Sequence, residues 1–340
     1  MSRQPASDIY DLTIVGGGPA GLFAAFYSGM RDMKTKLIEA GQQLGGRLLV
    51  YPQKRIYDVG GIACIRGEDL IRQLVEQAKY FDPKIELDQR VTGLETLSDG
   101  TWLLTTACGR KHYTRTLLIA AGRGIVSFNR LELPEANRYG QRNLYYTITD
   151  ASSFRGKRLL LSGGGDTAVD WANEMSEIAA EVTLVHRRSE FGAHEASVRK
   201  LESSNVRLLM SSVIAQLHGE NEIEAVSVSR VDETGRLIGT QQRLSVDAVI
   251  VSHGRSNDLG PILGWPLTFD DEFILTDSGM RTNLPGVFAA GDVLDYDNKL
   301  RLIAGAFNEA AVAVNGAKQY LDPSAYRQAY VSSHNNKFHQ

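Results

Sequence analysis

Apolar positions fall in short runs punctuated by glycine, and their spacing switches between strand and helix along the chain. Asp11 to Val15 is a strand-sized apolar run that ends in glycines. Ala20 to Met30 mixes small and large apolar residues at helical spacing, and Lys36 to Glu39 reads as a second strand. Strand, glycine-rich turn, helix and strand within about 30 residues have the size of a βαβ unit. Residues 67–81 predict another helix. From Ile85 to Thr106 the pattern shortens to alternation around Ser98-Asp99-Gly100, which predicts three short antiparallel strands. Thr116 to Ala120 returns to a buried strand and stops at Gly122-Arg123-Gly124.

The pattern then repeats. Lys157 to Leu161 predicts a strand, Gly163-Gly164-Gly165 a turn, Asp166 to Met175 a helix and Val182 to Val185 the next strand. Gly16, Gly18 and Gly21 lie at offsets 0, 2 and 5, and Gly163, Gly165 and Ala168 lie at the same offsets. The residue 23 positions past the first glycine is Glu39 in one unit and His186 in the other. Asp247 to Val251 is a further buried strand, closed by Gly254. The tail carries the apolar run Val287 to Ala290, then Gly291-Asp292, then a helix from about Leu302 to Tyr320. Such a strand and helix complete the first unit, so the second is expected as an insertion. One domain is then 1–122 with 254–340 and the other 123–253, with crossings near 122–124 and 252–256.

Composition narrows what such a chain does. At 340 residues it is long enough for two domains. Its 43% hydrophobic and 23% charged residues exclude disorder and low-complexity scaffolds. Lys and Arg number 37 against 40 Asp and Glu, a net charge of −3, which argues against nucleic-acid coating or polybasic membrane binding. No run approaches 18 apolar residues, and the polar start Met1 to Asp8 lacks an export core, so a cytoplasmic protein is expected. Cys64 and Cys108 stand far apart without a CxxC, so neither a disulfide framework nor a metal site is expected. Glycine is in excess, 33 residues, and the turns above account for the ones that matter.

Each turn carries a chemistry. In Gly16-Gly17-Gly18-Pro19-Ala20-Gly21 the first glycine makes the tight turn, the second admits a pyrophosphate and the third lets helix and strand pack closely. The free N–H groups and dipole of the helix that follows favour the phosphate charge. Glu39 ends the next strand, where a carboxylate accepts ribose hydroxyls and repels a 2′-phosphate, so this site suits FAD or NAD rather than NADP. Gly163, Gly165, Asp166, Thr167 and Ala168 offer the same cradle. At the acidic slot, however, stand His186, Arg187 and Arg188, and arginine forks suit the 2′-phosphate of NADPH. Asp292 follows a strand end, where it could bond a flavin ribitol hydroxyl.

The early GGGPAG, Leu44-Gly45-Gly46-Arg47, the inserted GGGDTA, the His186-Arg187-Arg188 run with Phe191, and GVFAAGD together resemble two-dinucleotide flavoproteins of the thioredoxin reductase type. The redox dithiol of those enzymes is missing from 143–150 and from 44–51. Tyr51-Pro52-Gln53-Lys54, Ile56 to Gly61, Gly165 to Ala172, His194 to Val198 and Leu302 to Ala310 are similar to the thioredoxin-reductase-like ferredoxin–NADP reductases. That resemblance implies an α/β fold of two Rossmann-like domains of the three-layer ββα type, the second inserted into the first. It implies an FAD-binding outer domain, an NADPH-binding inserted domain, a homodimer and ferredoxin as partner. NADPH would give hydride to flavin N5, and single electrons would follow to ferredoxin without a side-chain acid or base. Tyr51 and His334 are implied as the two plates on the flavin ring. Gly46, Arg47, Val91, Val126 and Asn336 are implied as further FAD contacts, and the helix beginning near Ala304-Gly305 is implied to point at flavin N1 and O2. Flavodoxin or a quinone as acceptor, or a non-catalytic NADPH/FAD sensor, are the alternatives.

Two departures bear on specificity. Arg47 replaces a glutamine of the family, and Gly192 replaces an arginine, which predicts weakened preference for NADPH over NADH. Residues 31–55 hold six basic and two acidic residues, and 298–340 hold five and two, which suggests a docking patch for an acidic partner.

Overall fold

The computed structural model describes residues 9–334 apart from Gln141, together with Phe338. The chain divides into two compact units, Met1–Val126 with Asn257–Gln340, and Ser127–Ser256. The chain therefore passes between units just beyond the two glycine-ended strands named above.

In the first unit the strands run in the order Lys84–Glu86, Thr35–Ile38, Ile9–Val15, Lys111–Ile119, Trp102–Thr106, Val91–Thr96. Val287–Ala289 pairs parallel with the last residues of Lys111–Ile119. That long strand changes partners along its length: Lys111 to Thr114 pair antiparallel with Trp102–Thr106, while Leu117 to Ile119 lie between two parallel neighbours. The alternating stretch is therefore only partly the antiparallel group expected. Lys84–Glu86 pairs parallel with Thr35–Ile38 and joins the parallel sheet, while Lys111–Ile119 supplies the third antiparallel strand. A three-residue strand shows too little of the two-residue period to declare its partner.

Helices Pro19–Met30, Gly67–Lys79 and Ile303–Leu321 belong to the same unit, and the first packs against the other two. Small residues make this close approach possible. Ala20, Gly21, Ala24, Ala25 and Ser28 are buried on the first helix, and Ala306, Ala310, Ala313 and Ala317 on the last. Leu12, Ile14, Leu22, Leu37, Leu117 and Ile119 are fully buried. Truncating such a leucine to alanine costs about 2–5 kcal/mol.

The second unit has a five-stranded parallel sheet in the order Leu144–Tyr145, Ala248–Ser252, Arg158–Gly163, Glu181–Val185, Arg207–Leu209. Its three central strands are buried on both faces, as parallel strands in such a sheet require. Leu159 and Leu161 face one core with helix Asp166–Met175, while Leu160 between them faces another with the antiparallel strands Ser212–His218 and Ala225–Val231. Ala248 and Ile250 against Val249 and Val251 repeat the alternation. Both units are thus α/β, each with parallel strands, an antiparallel group and helices. No helix among the described residues is long and apolar enough to cross a membrane.

Candidate functional site

The first glycine turn is built by close contact. Gly16 has φ +111°, and a Cβ there would lie 2.3 Å from the Ala120 carbonyl oxygen. A Cβ on Gly21 would lie 1.9 Å from the Gly16 carbonyl oxygen, so helix and strand meet backbone to backbone. Gly18 is the residue before the helix, and a Cβ there would meet only Gly46, at 3.7 Å. Pro19 opens the helix without an N–H to satisfy, and the first turn carries no acidic side chain. The helix N-terminus therefore keeps its positive end for an outside anion.

Glu39 shapes the loop beside the turn. One carboxylate oxygen accepts the Gly17 N–H at 2.6 Å and the other accepts the Gly41 N–H at 2.7 Å. Each oxygen keeps a lone pair for a ribose hydroxyl. A cavity of about 1080 Å³ opens over this turn, with all its walls in the first unit. Gly16, Gly18, Pro19, Ala20, Glu39, Gly46, Arg47, Tyr51, Val91 and Asp292 all line it. A flavin dinucleotide fits this frame: an open cradle at Gly18, an acid at the ribose position and a cavity slightly above the usual range for small ligands, as a long dinucleotide needs.

Asp292 is held by a network that its sequence position did not reveal. Gly291 N–H donates to Glu309 at 2.8 Å. Glu309 also accepts the Tyr296 hydroxyl at 3.1 Å and the Lys299 ammonium. The Lys299 and Glu309 side chains are 3% and 0% exposed. Burial and the neighbouring Glu309 carboxylate push the Tyr296 hydroxyl pKa up, so it stays a donor. Glu309 lies in the alanine stripe of the last helix, which is the one signal that could have marked it as buried. Arg47 reaches towards Asp292 across the cavity, Nη1 to Oδ2 at 3.9 Å.

Other expected residues lie elsewhere. His334 is exposed on the short turn Ser332–His334 and does not line the cavity, so within one chain it does not meet Tyr51. The reason lies in what anchors the tail: Phe338 packs on Tyr80, Phe81 and Phe26, with ring centroids 4.9, 5.6 and 6.1 Å away. Val126 lies on strand Ile125–Phe128, its side chain outside the described set, and Asn336 falls outside the described residues. The basic count over 31–55 overstates the surface. Arg31 and Lys36 are buried, Lys36 over the Tyr10 ring at 4.0 Å and beside His112 at 3.2 Å. Cys64 and Cys108 are both free thiols.

The second turn has the same skeleton with a different floor. Gly163 has φ +154°, and a Cβ there would lie 2.4 Å from the Ser252 carbonyl oxygen and 2.9 Å from Ala168. Beneath Gly164 lies the His186 ring, which a Cβ would approach to 2.1 Å. That ring is buried, stacks on Phe191 at 5.5 Å, and its Nε2 donates to the Glu190 carbonyl at 2.9 Å. Desolvation, with Arg188 and Arg187 nearby, lowers its pKa. His186 is therefore a neutral floor to the turn, and the cations at this strand end are Arg187 and Arg188. Arg187 and Arg188 remain exposed, as do Gly165, Asp166 and Thr167. Asp166 accepts the His194 N–H at 2.8 Å, and Gly192 N–H donates to Gly164, so loop 187–194 folds back onto the turn.

Residues 10–315 match the family described as pyridine nucleotide-disulphide oxidoreductase. A protein of Bacillus velezensis named ferredoxin–NADP reductase 1 is 50% identical over 97% of each chain. The Bacillus pumilus protein of the same name is 47% identical over 97% of this chain and 95% of its own. A crystal structure of Lactococcus lactis thioredoxin reductase superposes with a TM-score of 0.72 at 29% identity, covering 92% of this chain and 99% of that one. The chain belongs to the pyridine nucleotide-disulphide oxidoreductase family and, within it, to the ferredoxin–NADP reductases.

Proposed function

We propose that the protein passes electrons between NADPH and ferredoxin through FAD, with FAD in the cavity of the first unit and NADP(H) on the second glycine turn. The observation that carries this reading is the pairing of two matched turns with opposite chemistry at their ends. Glu39 lines a deep cavity, whereas Arg187 and Arg188 lie in the open. When bound, FAD supplies the conversion between a hydride and single electrons.

The residues of this chain bind and orient. Gly16, Gly18 and the first helix hold the pyrophosphate, Glu39 holds the adenosine ribose, and Asp292 takes a ribitol hydroxyl. Gly46, Arg47, Val91 and Tyr51 wall the remaining cavity, and Tyr51 shields a ring face from water. Gly163, Gly165 and the N-terminus of Asp166–Met175 take the second pyrophosphate, and the forks of Arg187 and Arg188 take the 2′-phosphate. With both cysteines free and no cysteine pair in the chain, electrons leave directly towards a one-electron carrier. Ferredoxin fits that need, with a cytoplasmic homodimer as the working form.

A visible spectrum of the purified protein, followed by NADPH-driven cytochrome c reduction with and without ferredoxin, tests the reading. We expect a yellow protein and a rate that depends on ferredoxin. A colourless protein overturns it. A rate indifferent to ferredoxin moves the acceptor to flavodoxin or a quinone, and flavin that NADPH does not reduce points to a sensor.

A further inference from the structure

The sheet order divides the cavity. Glu39 follows the strand on one side of Ile9–Val15, while Lys111–Ile119 and then Val287–Ala289 lie on the other. Strands stand about 4.8 Å apart, so the two sides are separated by several strand widths. With the adenosine ribose at Glu39 and the pyrophosphate at the glycine turn, the flavin ring must extend to the far side. Gly122-Arg123-Gly124 leaves the sheet there, and so does the segment that ends in Arg301 and the last helix.

Arg123 lines the cavity, and its side chain is 20% exposed. Its guanidinium rests on the Phe273 ring, Cζ 4.1 Å from the centroid, and the Arg301 guanidinium rests on the same ring at 4.1 Å. Arg123 Nη2 donates to Glu272 at 3.0 Å, and Arg301 Nη2 pairs with Asp295 at 3.1 Å. Arg123 Nη1 is different: it is buried and has no hydrogen-bond partner among the described residues. A buried donor left unmet is destabilising, and more so when charged. Phe273 and Glu272 fix the guanidinium so that it cannot swing out to water without losing both contacts. An arginine held this way is expected to meet an acceptor from outside the chain.

We infer that Arg123 is a flavin-contacting residue whose guanidinium donates to an acceptor atom on the ring's polar edge. This rests on the reading that the first unit binds FAD. Reduction of the ring by two electrons and one proton leaves one negative charge on it. Glu272 is 53% exposed and screened by water, whereas the guanidinium is mostly buried, so the ring feels the cation more than its counter-ion. Arg123 therefore holds FAD and favours its reduced form.

The test uses Arg123→Met and Arg123→Lys, with FAD titrated into apoprotein and the bound flavin's potential measured against a reference dye. For Arg123→Met the dissociation constant should rise about tenfold, as for loss of one charge-assisted hydrogen bond. The reduced-to-oxidised ratio at fixed solution potential should fall about tenfold, about 30 mV for a two-electron couple. Arg123→Lys keeps the charge but loses the planar fork, so it should restore most of the potential and less of the affinity. Potentials and affinities equal to those of the unaltered protein would overturn the assignment. An unaltered protein that takes up no FAD would instead overturn the reading beneath it.

Discussion

The two glycine turns share a skeleton, and their surroundings show what a skeleton leaves undecided. In the first, the acid at the strand end is tied to the turn through Gly17 and to its own loop through Gly41, and it lines a cavity. In the second, the equivalent position is a neutral buried ring, and the charged groups stand beyond it in the open. A walled site exchanges its occupant slowly, and an open one exchanges it fast. The first suits a resident cofactor and the second a substrate that arrives and leaves with every turnover.

The sharpest break between the turns is steric. Gly21→Ala places a Cβ 1.9 Å from the Gly16 carbonyl oxygen, so the purified variant should lack flavin absorbance altogether. Gly163→Ala places one 2.4 Å from Ser252, so that variant should stay yellow while its KM for NADPH rises at least about tenfold. Flavin loss in both, or in neither, would erase the distinction.

Next in size is the ion pair beneath Asp292. Lys299→Met leaves the Glu309 carboxylate buried and unpaired, which costs about 3–5 kcal/mol. The urea midpoint of the first unit should fall while that of the second holds. Adding Glu309→Gln should recover part of the loss.

A gain is expected at Gly192. A Cβ there would find its nearest neighbour 4.0 Å away, so Gly192→Arg fits. One more fork near the 2′-phosphate should raise the ratio of kcat/KM for NADPH over NADH about tenfold. An unchanged ratio would mean that Arg187 and Arg188 already saturate the phosphate.

The last contrast is with pH. Burial, with Lys36 alongside, lowers the His112 pKa to about 4. The unfolded chain then binds the proton more readily, so the stability is present above about pH 6.5 and is lost as pH falls towards 4. His112→Gln should flatten that slope in urea melts of the first unit. The pKa of His186 is lowered too, so acid should weaken the second unit in the same direction.

The frame of both turns was legible because it rests on periodicity and on glycines at fixed offsets, both written locally in the chain. What escaped was set by partners distant in sequence. Lys299 and Glu309 read as surface charges because their residue types are seldom buried, and only their pairing makes burial tolerable. Lys36 counted towards a docking patch, although it sits in an apolar strand between Thr35 and Leu37. His334 was placed by motif, while the packing of Phe338 decides where the tail lies. Arg123 carried no motif at all, and only a bond it fails to make sets it apart.

The nesting of one unit inside the other also orders events on the ribosome. All of the second unit, through Ser256, is synthesised before Val287–Ala289 and Ile303–Leu321 exist. Until then the end of Lys111–Ile119 is an open edge, and the side of Pro19–Met30 that Ile303–Leu321 will cover is bare. The inserted unit can fold as it emerges, while the outer one waits as a half-sheet exposed to chaperones. Gly291, Asp292 and Ala306 form part of the cavity wall, so the pocket cannot close around FAD until this late stretch is made.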